Sequence, residues 1–238
     1  MSNLYKLTAK CMTKVMHLEV ERRGLLAENQ LGTVKRVQGA KLQAIPNLAI
    51  YREYGHSLKA TWIYVKKAFD SVDHEYLMAY IFKLGLLKWI TCFLKEIISK
   101  WNSEVKAGLE TIFSKNFERG ILQSDSLSSL FFVLCINPLS RRLNERYPKV
   151  VMHAEEASHA TNHILFIDDL KLLSKDSIVM GSMVEEADSF ISAIGLEINR
   201  DKSATNDPLC EETARLLNDA GVYKYLGIIE NRCSNIER

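Results

Sequence analysis

The sequence lacks a long run of apolar residues, because no stretch approaches the roughly 20 that a membrane-spanning helix requires. Its N-terminus also lacks the charged-then-apolar layout of a secretion signal. No internal repeat and no low-complexity linker divides the 238 residues. These absences argue against a membrane span and predict an intracellular protein, with no indication of whether it is nuclear or cytoplasmic.

Cysteines are few, far apart and without a CxxC pair. The five are Cys11, Cys92, Cys135, Cys210 and Cys233. Several lie within apolar helical patterns, so we expect buried free thiols rather than disulfides or a zinc site. Three histidines, His153, His159 and His163, lie loosely together in a polar stretch. Their spacing fits no standard ligand pattern, which argues against a metal site there.

Excess charge of either sign is also lacking, since 31 Lys and Arg residues face 29 Asp and Glu residues, a net charge of +2. Nucleic-acid binders usually show a stronger basic excess, so the charge is weak support for such a partner. Basic pairs at 22–23, 35–36, 66–67 and 141–142 are each more typical of a solvated helix face. With 47% apolar residues, the chain can form one domain or two lobes that share a cleft.

Apolar residues at steps of three and four predict an amphipathic helix at the start of the chain. Its apolar face is formed by Leu4, Leu7, Cys11, Val15 and Leu18. A second helical pattern carries Leu42, Ile45 and Leu48, but Pro46 falls inside it. A proline in a helix interior costs about 3 kcal/mol, so this helix ends early or Pro46 is damage.

Further along, Asp73 is predicted as the N-cap of a helix whose inward face carries Leu77, Ile81 and Leu84. A helical stripe follows over residues 90–101. Gly108 then separates two short segments that could pair as a hairpin. A long helix is predicted from residue 126 onward, kinked or interrupted at 138, and another over 180–194.

Two aspartates, Asp168 and Asp169, lie between short apolar runs within residues 162–174, which predicts an acidic turn in a buried hairpin. A strand is predicted over Ala60–Val65 and another over Tyr223–Ile229. With the hairpin insertion near 101–118 removed, the order approximates the β-α-β-β-α-β pattern of a ferredoxin-like α+β fold. Because that fold hosts many functions, it does not settle the function.

Adjacent carboxylates in a partly dry turn raise each other's pKa unless a positive charge neutralises them. Mg²⁺ fits, because it takes oxygen ligands and commonly uses one or two carboxylates together with substrate phosphates. Two such ions roughly 4 Å apart can activate an attacking hydroxyl and stabilise a leaving group. The dipeptide alone nevertheless favours the other interpretation, a solvated Asp-Asp turn.

Other segments accompany this pair in a fixed order. They are residues 24–32 (GLLAENQLG), 66–74 (KKAFDSVDH), 119–128 (RGILQSDSLS), 166–169 (FIDD), 195–202 (GLEINRDK) and 223–227 (YKYLG). Together they resemble the motifs of reverse transcriptases of non-LTR retrotransposons (LINE-type elements), and the resemblance covers almost the entire chain. Several collinear motifs make it specific, although no single one would.

The resemblance implies an RNA-directed DNA polymerase that adds dNTPs to a DNA primer on an RNA template by two-metal phosphoryl transfer. Mg²⁺ is the implied cofactor, with Mn²⁺ as a substitute. It also implies a polymerase palm over about 60–229, partial fingers over about 1–59 and a tail over 230–238. We expect no thumb, since nothing after Ile229 would supply one, and no endonuclease or zinc knuckle.

By the same resemblance, Asp168 and Asp169 would be catalytic metal ligands. Lys202 would protonate the departing pyrophosphate, although a solvated loop lysine is an equally good interpretation. Phe69 would crowd the 2′ position of the incoming sugar and so favour deoxynucleotides.

Val65 and Gln123 would contact the incoming nucleotide, with Gln123 also placed to reach the template. Arg119 and Tyr225 would contact template or primer. These assignments come from the family pattern and not from spacing in this sequence.

One departure from the pattern concerns the first catalytic aspartate, which should precede Val65, where this chain has Tyr64. A phenol is uncharged at neutral pH and does not replace a carboxylate on Mg²⁺. Asp70 is not expected to compensate, because it should lie past the strand's end. Ser124 and Ser129 stand where the family has glycine and proline, and each change needs one base substitution. The set predicts a degenerate, truncated copy with impaired activity.

Two alternatives remain open from the sequence. The first is a non-catalytic remnant that binds nucleic acid, and the second is a pseudogene-like reading frame without a stable product. Mg²⁺-dependent incorporation of dNTPs separates the enzyme from the binding module. A cooperative unfolding transition would argue against the unstable product.

Overall fold

A computed structural model describes residues 3–30, 53–108, 110–123, 125–153, 158–217, 221–226 and 228–231. The predicted helix around Pro46 lies outside these residues, as do Ser124 and Cys233. Within the described residues, no helix is both long and apolar enough to cross a membrane.

Six helices are described: α1 (Asn3–Arg22), α2 (Ala68–Ser71), α3 (His74–Lys83), α4 (Lys88–Ser99), α5 (Ser128–Arg146) and α6 (Ser177–Ala193). The strands are β1 (Lys59–Tyr64), β2 (Asn102–Ala107), β3 (Glu110–Asn116), β4 (Val150–His153), β5 (Ser158–Thr161), β6 (His163–Phe166), β7 (Asp169–Ser174), β8 (Ala204–Thr205), β9 (Arg215–Leu216), β10 (Val222–Tyr225) and β11 (Ile228–Asn231). Short 3-10 turns occupy Gly55–Ser57, Arg200–Lys202 and Pro208–Cys210. The prediction of mixed helix and strand content is confirmed.

The opening helix exists, but the prediction of its apolar face was wrong. The side chains of α1 that enter the core are Ala9, Met12, Met16 and Val20. The three leucines that were predicted to lie inside are exposed instead: Leu4 is 75% exposed, Leu7 62% and Leu18 55%. Apolar residues cover more than half of the circumference of this helix, so periodicity alone offered two adjacent faces and did not select the buried one.

A five-stranded sheet forms the centre, in the order β6-β7-β1-β8-β9. Strand β1 is antiparallel to β7 and places Tyr64 opposite Asp169. The strand predicted over Ala60–Val65 is therefore confirmed. Its interior residues are buried because both faces of the sheet are covered.

The two faces of the sheet enter different cores, because side chains alternate along each strand. Ile63 and Leu170 face the helices, in one core with Phe131 of α5 and Met183 of α6. The opposite face has a second core that contains Ala60, Trp62, Ile164, Leu173 and Tyr225. Helices thus cover one face, and the β10–β11 hairpin reaches the other through Tyr225.

Local signals place the helices that follow β1. The Asp73 side chain accepts a hydrogen bond from the Tyr76 backbone N–H at 2.9 Å, which confirms the predicted N-cap of α3. Leu77 and Ile81 are fully buried on its inward face. Helix α5 continues through Pro138, so the proline does not interrupt it.

The predicted hairpin insertion is confirmed as β2 and β3, which pair antiparallel from Asn102 to Asn116. Gly108 in the turn has a φ of 63°, a left-handed conformation that glycine adopts at little cost.

The four described cysteines are free thiols. Cys135 and Cys210 are buried as expected, whereas Cys11 and Cys92 are exposed. Cys11 is exposed because it lies on the face of α1 that was predicted to be buried and is in fact exposed.

Candidate active site

The acidic pair lies at the tip of the β6–β7 hairpin, as predicted. Phe166 pairs with Asp169, so Ile167 and Asp168 form a two-residue turn. Ile167 has a φ of 57°, which is rare for a β-branched residue and costs on the order of 1–3 kcal/mol. Its backbone N–H donates to Gln30 Oε1 at 3.3 Å, which helps to hold the turn. Strain of this kind is typical of functional turns.

Both carboxylates are half-buried, and their electrostatics are unfavourable. Burial, followed by the negative charge of Asp168, raises the pKa of Asp169 to about 6. Burial also raises the pKa of Asp168. No salt bridge to either residue is found within the described part of the chain. The turn therefore holds concentrated negative charge that a cation would stabilise.

Tyr64 lies directly opposite Asp169 on the neighbouring strand, and directly opposed side chains share a sheet face. Its backbone is fixed on both sides, because its N–H donates to Ser203 Oγ at 3.0 Å and its carbonyl accepts from the Asn199 N–H at 2.8 Å. The ammonium of Lys202 lies 5.0 Å from the Tyr64 ring centroid. An aromatic ring and a lysine thus occupy the place opposite the acidic pair.

The donor set fits a divalent cation in part. Asp168 and Asp169 supply the hard oxygen ligands that Mg²⁺ prefers, and substrate phosphates could complete its shell. Among the described residues, no third His, Cys, Asp or Glu joins them in a metal-binding group. Within the described residues, the acidic pair therefore supplies two carboxylate ligands, and Tyr64 opposite Asp169 supplies none.

Asp70 does not supply this carboxylate. It is exposed in α2, and its Oδ1 accepts a hydrogen bond from Gln123 Nε2 at 2.9 Å. This agrees with the expectation that Asp70 lies past the end of the strand.

The structure brings the segments of Phe69 and Gln123 together. The Ile121 N–H donates to the Phe69 carbonyl at 2.7 Å, and the Gly120 N–H donates to that of Val72 at 2.7 Å. Gly120 has a φ of 90°, and a Cβ there would lie 2.9 Å from the Asp70 carbonyl oxygen. Only glycine permits this close approach.

Phe69 and Val65 differ in accessibility. Phe69 is half-buried and stacks on Phe132 with ring centroids 5.1 Å apart. Val65 is buried, at 3% exposure, and forms an isolated bridge with Ile198. A nucleotide contact by Val65 would therefore involve its backbone.

Arg119 and Tyr225 lie in different environments. The Arg119 side chain is 59% exposed, and its Nε lies 3.7 Å from Asp73 Oδ2. Tyr225 differs from the prediction of a template or primer contact, because its side chain lies in the second core. Its hydroxyl approaches the carbonyls of Ile164 at 3.4 Å and Asp169 at 3.5 Å.

Sequence reasoning missed three residues behind the turn. Lys171 and Glu230 form a buried ion pair, and Tyr223 packs on Trp62 with ring centroids 5.4 Å apart. The one available signal was Lys171, a charged residue inside an apolar run. Its partner is 59 residues away in the chain.

A family model described as "Reverse transcriptase (RNA-dependent DNA polymerase)" matches residues 1–229 of this chain. The chain belongs to the reverse transcriptase family. Its resemblance to non-LTR retrotransposons is confirmed by two curated relatives, and the sequence motifs had predicted it.

One relative is the "Retrovirus-related Pol polyprotein from type-1 retrotransposable element R2" of Popillia japonica, 23% identical over 158 residues. The other is the "Transposon TX1 uncharacterized 149 kDa protein" of Xenopus laevis, 26% identical over 153 residues. The alignments cover 66% and 64% of this chain, but only 26% and 12% of the relatives.

Solved structures show the same fold at low identity. Telomerase from Candida albicans, in complex with a fragment of telomeric RNA, gives a TM-score of 0.70 at 13% identity, over 95% of this chain and 37% of that one. Apo telomerase from Candida tropicalis gives 0.65 at 11% identity, over 98% and 40%. The chain therefore has the polymerase fold that reverse transcriptases share with telomerase.

Proposed function

We propose that this chain is an RNA-directed DNA polymerase domain of a non-LTR retrotransposon whose active site is impaired in this copy. The observation that carries the proposal is the Asp168–Asp169 pair at a strained, half-buried turn, with Tyr64 directly opposite. In this proposal, residues of about 60–229 form the palm and those of about 1–59 belong to the fingers.

Asp168 and Asp169 would hold Mg²⁺, or Mn²⁺ in its place. When bound, such an ion would activate the primer 3′-hydroxyl and stabilise the charge on the departing pyrophosphate. The two carboxylates would hold the ion at the turn, and ionisation of Asp169 would be favoured by the ion's charge.

Phe69 and Gln123 would bind the incoming dNTP from neighbouring segments. The hydrogen bond between Gln123 and Asp70 fixes the amide beside the short helix that carries Phe69. Arg119, whose side chain is exposed, would contact the phosphates of template or primer. Lys202 would protonate the pyrophosphate, a role for which it must leave the Tyr64 ring.

Tyr64 would lower activity severely, because it removes the carboxylate that should share the metal with Asp169. Electrostatic stabilisation is often the dominant catalytic contribution, and because removal of a single oxyanion-hole donor costs about 10²–10³-fold in rate in other enzymes, we expect a loss of at least that order here. The backbone hydrogen bonds of Tyr64 hold its position, so an aspartate at this place would point toward the pair without rearrangement of β1.

The absence of the third carboxylate among the described residues also favours a second candidate, a module that binds an RNA template and primer without chemistry. Both candidates predict nucleic-acid binding. They differ in whether a restored carboxylate produces synthesis.

Primer extension on an RNA template with Mg²⁺ and dNTPs tests the proposal. We expect little or no extension by the natural chain and extension by Tyr64→Asp. Tyr64→Phe is the matched control, since it removes the hydroxyl without adding a charge, and it should stay inactive.

Equal and robust extension by the natural chain and Tyr64→Asp would refute the assignment of impairment to Tyr64. Template binding by both proteins, with no synthesis by either, would favour the binding module.

A further inference from the structure

Lys171 and Glu230 form an ion pair that is removed from solvent. The Lys171 Nζ lies 2.5 Å from Glu230 Oε2, and the two side chains are 0% and 1% exposed. Trp62 Nε1 donates to the same carboxylate oxygen at 3.1 Å. The Lys171 ammonium also lies 4.7 Å from the Trp62 ring centroid. Glu230 therefore accepts from two groups of the central sheet.

This pair joins the β10–β11 hairpin to the strand that carries the acidic turn. Lys171 follows Asp169 by two residues in β7, so both side chains lie on the same face of the sheet. On β1, Trp62 is opposite Lys171 and Tyr64 is opposite Asp169. Glu230, from β11, contacts the Trp62–Lys171 pair, which is next to the Tyr64–Asp169 pair on this face and farther from the turn.

A second contact continues from the hairpin to the turn itself. The Tyr225 ring lies 5.5 Å from the Lys171 ammonium, and its hydroxyl approaches the Asp169 carbonyl at 3.5 Å. Contacts thus run from Glu230 through Lys171 and Tyr225 to the backbone of Asp169.

Apolar residues of similar volume often stabilise a fold as much as a buried ion pair or more, so stability alone does not explain this pair. The charges restrict the position of the hairpin on the sheet. Apolar surfaces tolerate small shifts, whereas Glu230 satisfies both Lys171 and Trp62 in one arrangement only.

We propose that the buried Lys171–Glu230 ion pair fixes the position of the β10–β11 hairpin, so that Tyr225 acts as a positioning residue for the Asp168–Asp169 turn. The catalytic meaning of this positioning rests on the proposed polymerase function. The mechanical coupling of the hairpin to the turn does not rest on that function, because hydrogen exchange measures it in proteins that keep Tyr64.

Hydrogen exchange compares three regions: the hairpin (222–231), the acidic hairpin (163–174) and a reference in α3 and α4 (74–99). Glu230→Gln removes the carboxylate that pairs with Lys171 and keeps the lysine charge, while Lys171→Met with Glu230→Gln removes both charges and keeps an acceptor for Trp62. Tyr225→Phe removes only the hydroxyl.

Exchange in the double variant should rise about tenfold or more in both 163–174 and 222–231, with the reference within about twofold. Tyr225→Phe should raise exchange in 163–174 alone. A uniform rise in all regions would show a purely structural pair, and a rise confined to 222–231 would show a hairpin uncoupled from the turn; each result overturns the proposal. If Glu230→Gln does not fold, the double variant carries the test, because it removes both charges of the pair.

A kinetic comparison in the Tyr64→Asp background adds a readout that stability does not mimic. The double variant should lower kcat about tenfold and change KM for dNTP less than about threefold, since the turn is displaced but the nucleotide contacts are intact. An unchanged kcat would also overturn the positioning role. If Tyr64→Asp itself is inactive, the polymerase proposal fails, and the exchange result still decides the coupling.

Discussion

His163 makes the stability of the fold sensitive to acid. The side chain is fully buried, with Nδ1 2.7 Å from Asn162 Oδ1 and Nε2 2.6 Å from Ser140 Oγ. Asn162 donates its amide group to the Leu143 and Tyr147 carbonyls, so its Oδ1 must accept from Nδ1–H. Burial favours the neutral ring, and in that form Nε2 accepts from the serine hydroxyl.

Burial, with a smaller contribution from the charge of Lys149, lowers the pKa of His163 from 6.5 to about 3. A lowered folded-state pKa means that the unfolded chain takes up the proton first. The stability contributed by the neutral ring is complete above pH 6.5 and is lost as the pH falls toward 3. Each pH unit in this window corresponds to about 1.4 kcal/mol, so the loss at pH 5 is about 2 kcal/mol.

Asp169 works in the opposite direction, because its pKa is raised in the fold and protonation below about pH 6 relieves its burial. Its contribution cancels when two proteins that both contain Asp169 are compared. His163→Gln keeps a polar group but does not titrate. Urea unfolding at pH 7, 6 and 5 should show the natural chain losing about 2 kcal/mol more than this variant. Parallel losses in the two proteins would refute the assignment of a neutral, buried imidazole.

Two further substitutions test the local geometry by urea unfolding. Gly120→Ala should destabilise the fold by about 2 kcal/mol or more, because the φ of 90° is strained for alanine and its Cβ would meet the Asp70 carbonyl at 2.9 Å; a loss below about 0.5 kcal/mol would contradict the close approach. Asp73→Ala should cost about 1 kcal/mol through loss of the cap on the Tyr76 N–H, while Asp73→Asn should cost much less; equal losses would assign the effect to the charge instead.

Local sequence signals predicted most of the strands and helices around the candidate site. Short apolar runs located β1 and the acidic turn, Gly108 indicated the insertion hairpin, and a single side chain identified the Asp73 cap. The face of α1 was missed because apolar residues cover more than half of that helix, and the choice of Met16 over Leu7 depends on the shape of the core.

The contacts between β7 and the β10–β11 hairpin were not predictable from local patterns. A four-residue strand such as β10 gives too short an alternation to show that Tyr225 faces inward. The partnership of Lys171 with Glu230 depends on how the hairpin folds back over the sheet, which no local pattern contains. Tyr64 was identified by family resemblance, and the register then placed it opposite Asp169.

We propose that Asp168 and Asp169 form a metal site whose third ligand is replaced by Tyr64. Titration with Mn²⁺, followed by the electron paramagnetic resonance signal of the free ion, measures this directly and requires no catalysis. Tyr64→Asp should bind Mn²⁺ at least about tenfold more tightly than the natural chain or Tyr64→Phe, and adding Asp169→Asn should remove the gain. Equal affinity in the natural chain and Tyr64→Asp, or a gain that survives Asp169→Asn, would contradict the account.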